Sequence, residues 1–146
     1  MNGRLTGKSA LITGGSRGIG KAIAFAFAKE GCSVFLNGRD AKRLDETAKE
    51  VADKYEVDVC DFACDVTDPV AVKELVNASE NWNQIDILVN NAGIHKGNRF
   101  QDYTFDDFKE VVDTNVYGVF HVTQALLKRM IGNRSGRIIN IASTAG

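Results

Sequence analysis

The sequence is poor in several things that would have directed its reading elsewhere. There are three cysteines in 146 residues, Cys32, Cys60 and Cys64. An odd, sparse count is not a disulfide framework, and no further ligands cluster near them, so free thiols are expected and no metal site. Cys60 and Cys64 fall in an alternating stretch and would share one strand face. Net charge is −1, and the charges are scattered. There is no basic excess of the kind nucleic-acid binders carry. No apolar run approaches the ~20 residues of a membrane span. Glycines and charges interrupt the first fifteen residues, so they lack the apolar core of a signal peptide. Asn77-Ala-Ser79 and Asn133-Arg-Ser135 are then chance matches to a glycosylation pattern, and a cytoplasmic location is the expectation. Repeats, low-complexity tracts and linkers are absent.

What is present reads as a single domain. Hydrophobic residues make up 44% and charged residues 25%, an ordinary composition for a chain long enough to bury a real core. Short apolar runs alternate with helical patterns. Strands are expected at residues 9–13, 34–36, 58–63, 86–89 and 137–142. Helices are expected at 18–30, with Ile19, Ala22, Ile23, Ala26 and Phe27 inward, and at 41–54, capped by Asp40, with Leu44, Ala48 and Val51 inward. A third begins at Pro69, a favoured first position, with Val72, Leu75 and Val76 inward. A long one covers 106–131, its face marked by Phe108, Val111, Val112, Asn115, Val116, Val119, Phe120, Thr123, Leu126, Leu127 and Met130. Residues 94–103 are expected to be loop. Strands alternating with helices imply a parallel, doubly wound α/β sheet of the Rossmann type, expected order 3-2-1-4-5.

The stretch that organises the chain is KSALITGGSRGIG, Lys8 to Gly20. An apolar strand feeds a glycine-rich loop that opens a helix, which aims backbone N–H groups at a phosphate. Gly14, Gly18 and Gly20 are spaced G-x-x-x-G-x-G. Cofactor choice is read after the second strand, where an NAD-preferring fold places a carboxylate. Here Asn37-Gly38-Arg39 stands instead, and Asp40 follows too late, with a helix to cap. Arg39 and Arg17 can both serve a 2′-phosphate through charge-assisted bidentate bonds. The expected cofactor is NADP(H) in preference to NAD(H). Asn115 sits on an apolar helix face, where an unpaired amide would cost about 1–3 kcal/mol, so it requires a partner.

Taken together, Thr13-Gly14-Gly15-Ser16-Arg17-Gly18-Ile19-Gly20, Asp65-Val66, Asn90-Asn91-Ala92-Gly93, Asn115 and Ser143 resemble the short-chain dehydrogenase/reductase family, nearest its 3-oxoacyl-acyl-carrier-protein reductase-like group. The resemblance runs from end to end. It implies an oxidoreductase acting on CH–OH or C=O groups of a small-molecule or acyl-thioester substrate, with a possible homo-oligomer. It implies that Gly14, Ser16, Arg17, Gly18, Ile19 and Gly20 hold the cofactor, that Asp65 hydrogen-bonds the adenine with Val66 against it, and that Asn90, Asn91, Ala92 and Gly93 line it. Asn115 would hold a water in a proton relay, and Ser143 would bond the substrate oxygen. A methyltransferase on a similar sheet is disfavoured by the pairing of residues 13–20 with 90–93.

The family's proton donor is a Tyr-x-x-x-Lys beyond the serine. Residues four after Tyr55, Tyr103 and Tyr117 are Val59, Asp107 and His121, so no such motif occurs. His95, in a loop, is a poor substitute. The expectation is the N-terminal part of a reductase, from an incomplete open reading frame or cut from a longer chain. Such a chain would be inactive alone, and would have an open fifth-strand edge and an uncovered apolar stripe on its long helix. The competing expectation is a non-catalytic dinucleotide-binding or subunit-pairing half-reductase.

Overall fold

The computed structural model describes residues 3–143. Five strands, β1 (Ser9–Ile12), β2 (Ser33–Gly38), β3 (Val59–Ala63), β4 (Ile87–Asn90) and β5 (Arg137–Asn140), pair in parallel in the order β3-β2-β1-β4-β5. The helices between them are α1 (Gly18–Lys29), α2 (Ala41–Lys54), α3 (Pro69–Trp82), α4 (Phe105–Val112) and α5 (Gly118–Gly132). Successive side chains of each strand point to opposite faces of the sheet, and both faces of the central strands are buried. Ala10 and Ile12 face one apolar cluster, with Val34, Leu36, Leu44 and Val51. Leu11 faces the other, with Phe35, Leu88, Val72, Leu75 and Leu126. Each fully buried Leu, Ile or Phe contributes roughly 1.5–3 kcal/mol, so the two-sided core dominates stability.

Local chemistry starts the helices where the chain must turn back. Asp40 Oδ1 accepts from Arg43 N at 3.0 Å to cap α2. Asp68 Oδ1 accepts from Val70 N and Ala71 N to cap α3, whose first residue is Pro69. Thr104 and Asp107 cap each other's backbone at the start of α4.

Two expectations about helix faces are corrected. In α1 the buried row is Gly20, Ala24 and Ala28, with Ile23 and Phe27 half-buried, while Ile19, Ala22 and Ala26 are exposed. Helix α1 is apolar on more than one side, and the sheet takes the side with the smallest residues because that permits the closest approach. The expected long helix at 106–131 is interrupted by a π turn, Asp113–Tyr117. Its extra residue rotates the helix beyond it, so α5 buries Gly118, Val122, Leu126 and Met130. Phe108, Val116, Phe120 and Leu127, expected on the packed face, lie outside it and are exposed. Space at Gly118 is tight, since a Cβ there would lie 2.6 Å from Val66 Cγ2.

Smaller differences arise from the hydrogen bonds. β2 extends to Gly38, and Phe100–Asp102 forms one 3-10 turn within the expected loop. β5 is an edge strand with Ile138 and Ile139 about 40% exposed. Cys32 is buried, whereas Cys60 and Cys64 are only half-buried because β3 is the opposite edge; both pack on the second cluster, and all three thiols are free. Among the described residues no helix is long and apolar enough to cross a membrane, and no group of three or more metal-ligating side chains occurs.

Candidate functional site

The C-terminal ends of β1, β2 and β4 open onto one cleft of about 430 Å³. Its first wall is the loop leaving β1. Gly14 and Gly18 adopt φ +63° and +55°, which L side chains rarely tolerate. At Gly18 a Cβ would meet nothing within 4 Å, so the backbone faces open space. Gly20 lies beneath the loop and does not line the cleft: a Cβ there would lie 2.1 Å from the Gly14 carbonyl oxygen. That contact brings the start of α1 directly under the loop. Arg17 occupies the N-cap without a side-chain cap, and no acid stands in the first turn. The positive helix end is therefore uncompensated by the chain itself, an environment that suits a phosphate.

The loop is held from β4. The Thr13 hydroxyl oxygen accepts from Asn91 N at 3.0 Å and Ala92 N at 2.9 Å. In return, Asn91 Nδ2 donates to the Thr13 carbonyl at 3.2 Å and the Gly14 carbonyl at 3.1 Å. Four bonds thus tie the two strand ends together. Asn91, Ala92 and Gly93 line the cleft beside Gly14, Ser16, Arg17 and Ile19. Asn90 points instead into the sheet, donating to Thr123 Oγ1 and Asn140 Oδ1 at 3.0 and 2.9 Å, while its own Oδ1 finds no donor among the described residues.

The far end is cationic. Arg17, Arg39 and Arg43 all line the cleft, and none is ion-paired among the described residues. Gly38 ends β2 in place of an acid; a Cβ there would press on Leu44 and Ser16 at 3.3–3.4 Å. Asp40 also lines the cleft, but one carboxylate oxygen is committed to capping α2. Asp65 and Val66 form the third wall, with Asp65 Oδ1 turned back onto Thr67 N at 2.9 Å. Cys64 adjoins them. Burial pushes its thiol up to about 11, Asn37 Nδ2 donating to its sulfur at 3.4 Å partly opposing this. It is a neutral thiol at pH 7, not a nucleophile.

Asn115, expected on an apolar helix face, is instead exposed in the π turn, so burial does not force the pairing it makes. Its Oδ1 accepts from Ile94 N at 2.8 Å and its Nδ2 donates to the Ile94 carbonyl at 2.9 Å. This pins the segment after β4 to the helix layer. Lys96, paired with Glu110 and Asp107, ties the next turn of that segment to α4. Ser143 is exposed three residues beyond β5, the strand alongside β4. Sequence reasoning missed Arg43, Thr114 and Ile94 as lining residues, and the anchoring role of Thr13. Arg43 had a signal only in its type and place, an arginine in the first turn of α2, close after Arg39.

The cleft's glycine cradle, free helix end and arginines fit a nucleotide anion. Comparison with known proteins agrees with that architecture. The family model for short chain dehydrogenase matches residues 8–146. The 3-oxoacyl-(acyl-carrier-protein) reductase of Aquifex aeolicus is 39% identical over 147 residues, covering 100% of this chain and 59% of the relative. That of Thermotoga maritima is 39% identical over 144 residues, covering 98% and 58%. The chain thus spans under two thirds of these relatives' length. Among solved structures, NAD+-bound xylitol dehydrogenase superposes with TM-score 0.93 at 38% identity, covering 98% of this chain and 55% of that one. Actinorhodin polyketide ketoreductase with NADPH gives TM-score 0.89 at 39% identity, covering 94% and 54%. With the whole sheet, the glycine loop and the β4 staple accounted for, the chain belongs to the short-chain dehydrogenase family.

Proposed function

We propose that residues 1–146 form one dinucleotide-binding domain, the N-terminal part of an NADP(H)-dependent oxidoreductase of carbonyl, 3-oxoacyl or alcohol type. The observation that carries the cofactor choice is the trio Arg17, Arg39 and Arg43 in one cleft, with glycine at the end of β2. A nicotinamide dinucleotide bound there would supply hydride transfer, to a carbonyl carbon when reduced and from an alcohol carbon when oxidised. The chain's own groups do the rest. Amides of residues 14–20 take the pyrophosphate, Arg17, Arg39 and Arg43 take the 2′-phosphate, and Asp65 and Val66 hold the adenine. Asn91, Ala92 and Gly93 support the nicotinamide side. Asn115 orients a water for proton relay, and Ser143 bonds the substrate oxygen of a small molecule or acyl thioester. A cytoplasmic setting and a homo-oligomer fit this reading.

Binding supplies the test. A guanidinium–phosphate bond is worth about 1.5–3 kcal/mol, so Arg39→Asp should weaken NADPH at least tenfold while sparing NADH. Equal loss for both in a fluorescence titration would sink the NADP assignment. A second reading, a dinucleotide-binding half without turnover, is favoured for this 146-residue chain by the lack of a Tyr-x-x-x-Lys motif within it. Losing a general acid costs roughly 10²–10⁴-fold. The chain should therefore not reduce an acetoacetyl thioester with NADPH; turnover abolished by Ser143→Ala would refute that reading.

A further inference from the structure

A second concavity, separate from the dinucleotide cleft, runs between α3 and α5, with Val76 among its lining residues. It is a groove of about 670 Å³. Its sides carry Lys73, Lys128, Arg129 and His121, and no Asp or Glu is among its lining residues. This is a local excess of one sign in a chain whose net charge is −1. Lys73, Lys128 and Arg129 enter none of the ion pairs among the described residues.

Arg129 is held in place by neutral acceptors. Its guanidinium donates to the Val76 carbonyl at 3.0 Å and to Asn77 Oδ1 at 2.8 Å. Two of its five N–H groups are so used, and the half-buried charge has fixed orientation but no counter-charge. The remainder of the lining is polar Gln124 and apolar surface from Pro69, Val76, Ala125 and lysine stems. A fixed guanidinium with two flexible ammonium groups offers more donors than a carboxylate's two oxygens would use, which favours a phosphate. No Phe, Tyr or Trp lines the groove. A recess suits a small molecule better than a flat anionic membrane.

We propose that this α3–α5 groove binds a soluble phosphate monoester carrying a short aliphatic body, at a site independent of the dinucleotide cleft. The test is amide-resolved NMR titration of the whole chain with hexyl phosphate, with and without saturating NADPH. Saturable shifts at Asn77 and Ala125 are expected, unchanged by NADPH. Affinity should fall at least tenfold in the double variant Lys73→Ala, Lys128→Ala, whose two exposed side chains make no contact the fold needs. Four results would each overturn the proposal: shifts confined to residues 14–20, hexylammonium binding as tightly, unaltered affinity in the double variant, or a response only to vesicles containing phosphatidic acid.

Discussion

Gly20→Ala tests whether the closeness of α1 to the phosphate loop is what shapes the cleft. The added methyl carbon would lie 2.1 Å from the Gly14 carbonyl oxygen and 2.5 Å from Asn91 Nδ2. Ordinary contact is more than an ångström longer, and both neighbours are fixed, one by backbone and the other by its bonds to Thr13 and Gly14. Helix and loop must therefore separate. Overpacking of this kind costs about 1–3 kcal/mol, while alanine returns about 1 kcal/mol of helix propensity over glycine. A net loss of roughly 1 kcal/mol is expected, a Tm decrease of about 3–4 °C in a chain of this size. The effect on binding is larger. A displaced loop loses at least one amide–phosphate bond of about 1.5–3 kcal/mol, or ten- to hundredfold in NADPH affinity. Calorimetry and fluorescence titration measure the two effects separately. Gly132→Ala is the control, because a Cβ there meets nothing within 4 Å and its φ is ordinary; it should leave affinity unchanged and raise stability slightly. Gly20→Ala with wild-type affinity and Tm would refute the close-approach argument.

Thr13→Val keeps the shape of a buried side chain but removes the acceptor for Asn91 N and Ala92 N, and should cost about 2 kcal/mol or more in urea unfolding; an unchanged midpoint would mean the staple is dispensable. Burial, with a smaller contribution from the Asp86 charge, pushes the Cys32 thiol up to about 12. The unfolded thiol ionises near 8.5, so this stabilisation is complete below that pH and is lost as pH rises toward 12, at up to about 1.4 kcal/mol per pH unit. Cys32→Ala should flatten the stability profile between pH 9 and 11, and parallel slopes would count against it. Phe120 is 57% exposed, near exposed Val116 and Tyr117. Sedimentation should show concentration-dependent association that Phe120→Asp suppresses; a strictly monomeric parent would contradict this.

The sheet was legible because each strand is a short apolar run bounded by turn residues. Parallel crossovers then leave few orders to choose from. The cap of α2 at Asp40 and the start of α3 at Pro69 were legible because side-chain chemistry and position coincide there. The face of α1 was not, because Ile19, Ala22 and Ala26 satisfy helical periodicity as well as Gly20, Ala24 and Ala28 do, and only the nearness of the sheet decides between them. The π turn was hidden for a related reason: apolar residues recur at helical spacing on both sides of it, and nothing local announces one extra residue. In the cleft, the glycines and Arg39 stood out by type and spacing. Thr13 did not stand out as an anchor, because an acceptor for two amides from another strand is visible only once β1 and β4 lie side by side.

The extra residue at Asp113–Tyr117 makes this part of the chain sensitive to length as well as to composition. Deleting one residue there would let α4 and α5 merge into a regular helix, with a gain in backbone hydrogen bonding. It would also turn Asn115 away from Ile94 by roughly a quarter turn or more relative to α5. The segment after β4 would then lose both backbone bonds that fix it beside the cleft. A shorter, more regular and even more stable helix would be a worse partner for the cofactor edge, so alignments in this region should be judged by their gaps before their substitutions.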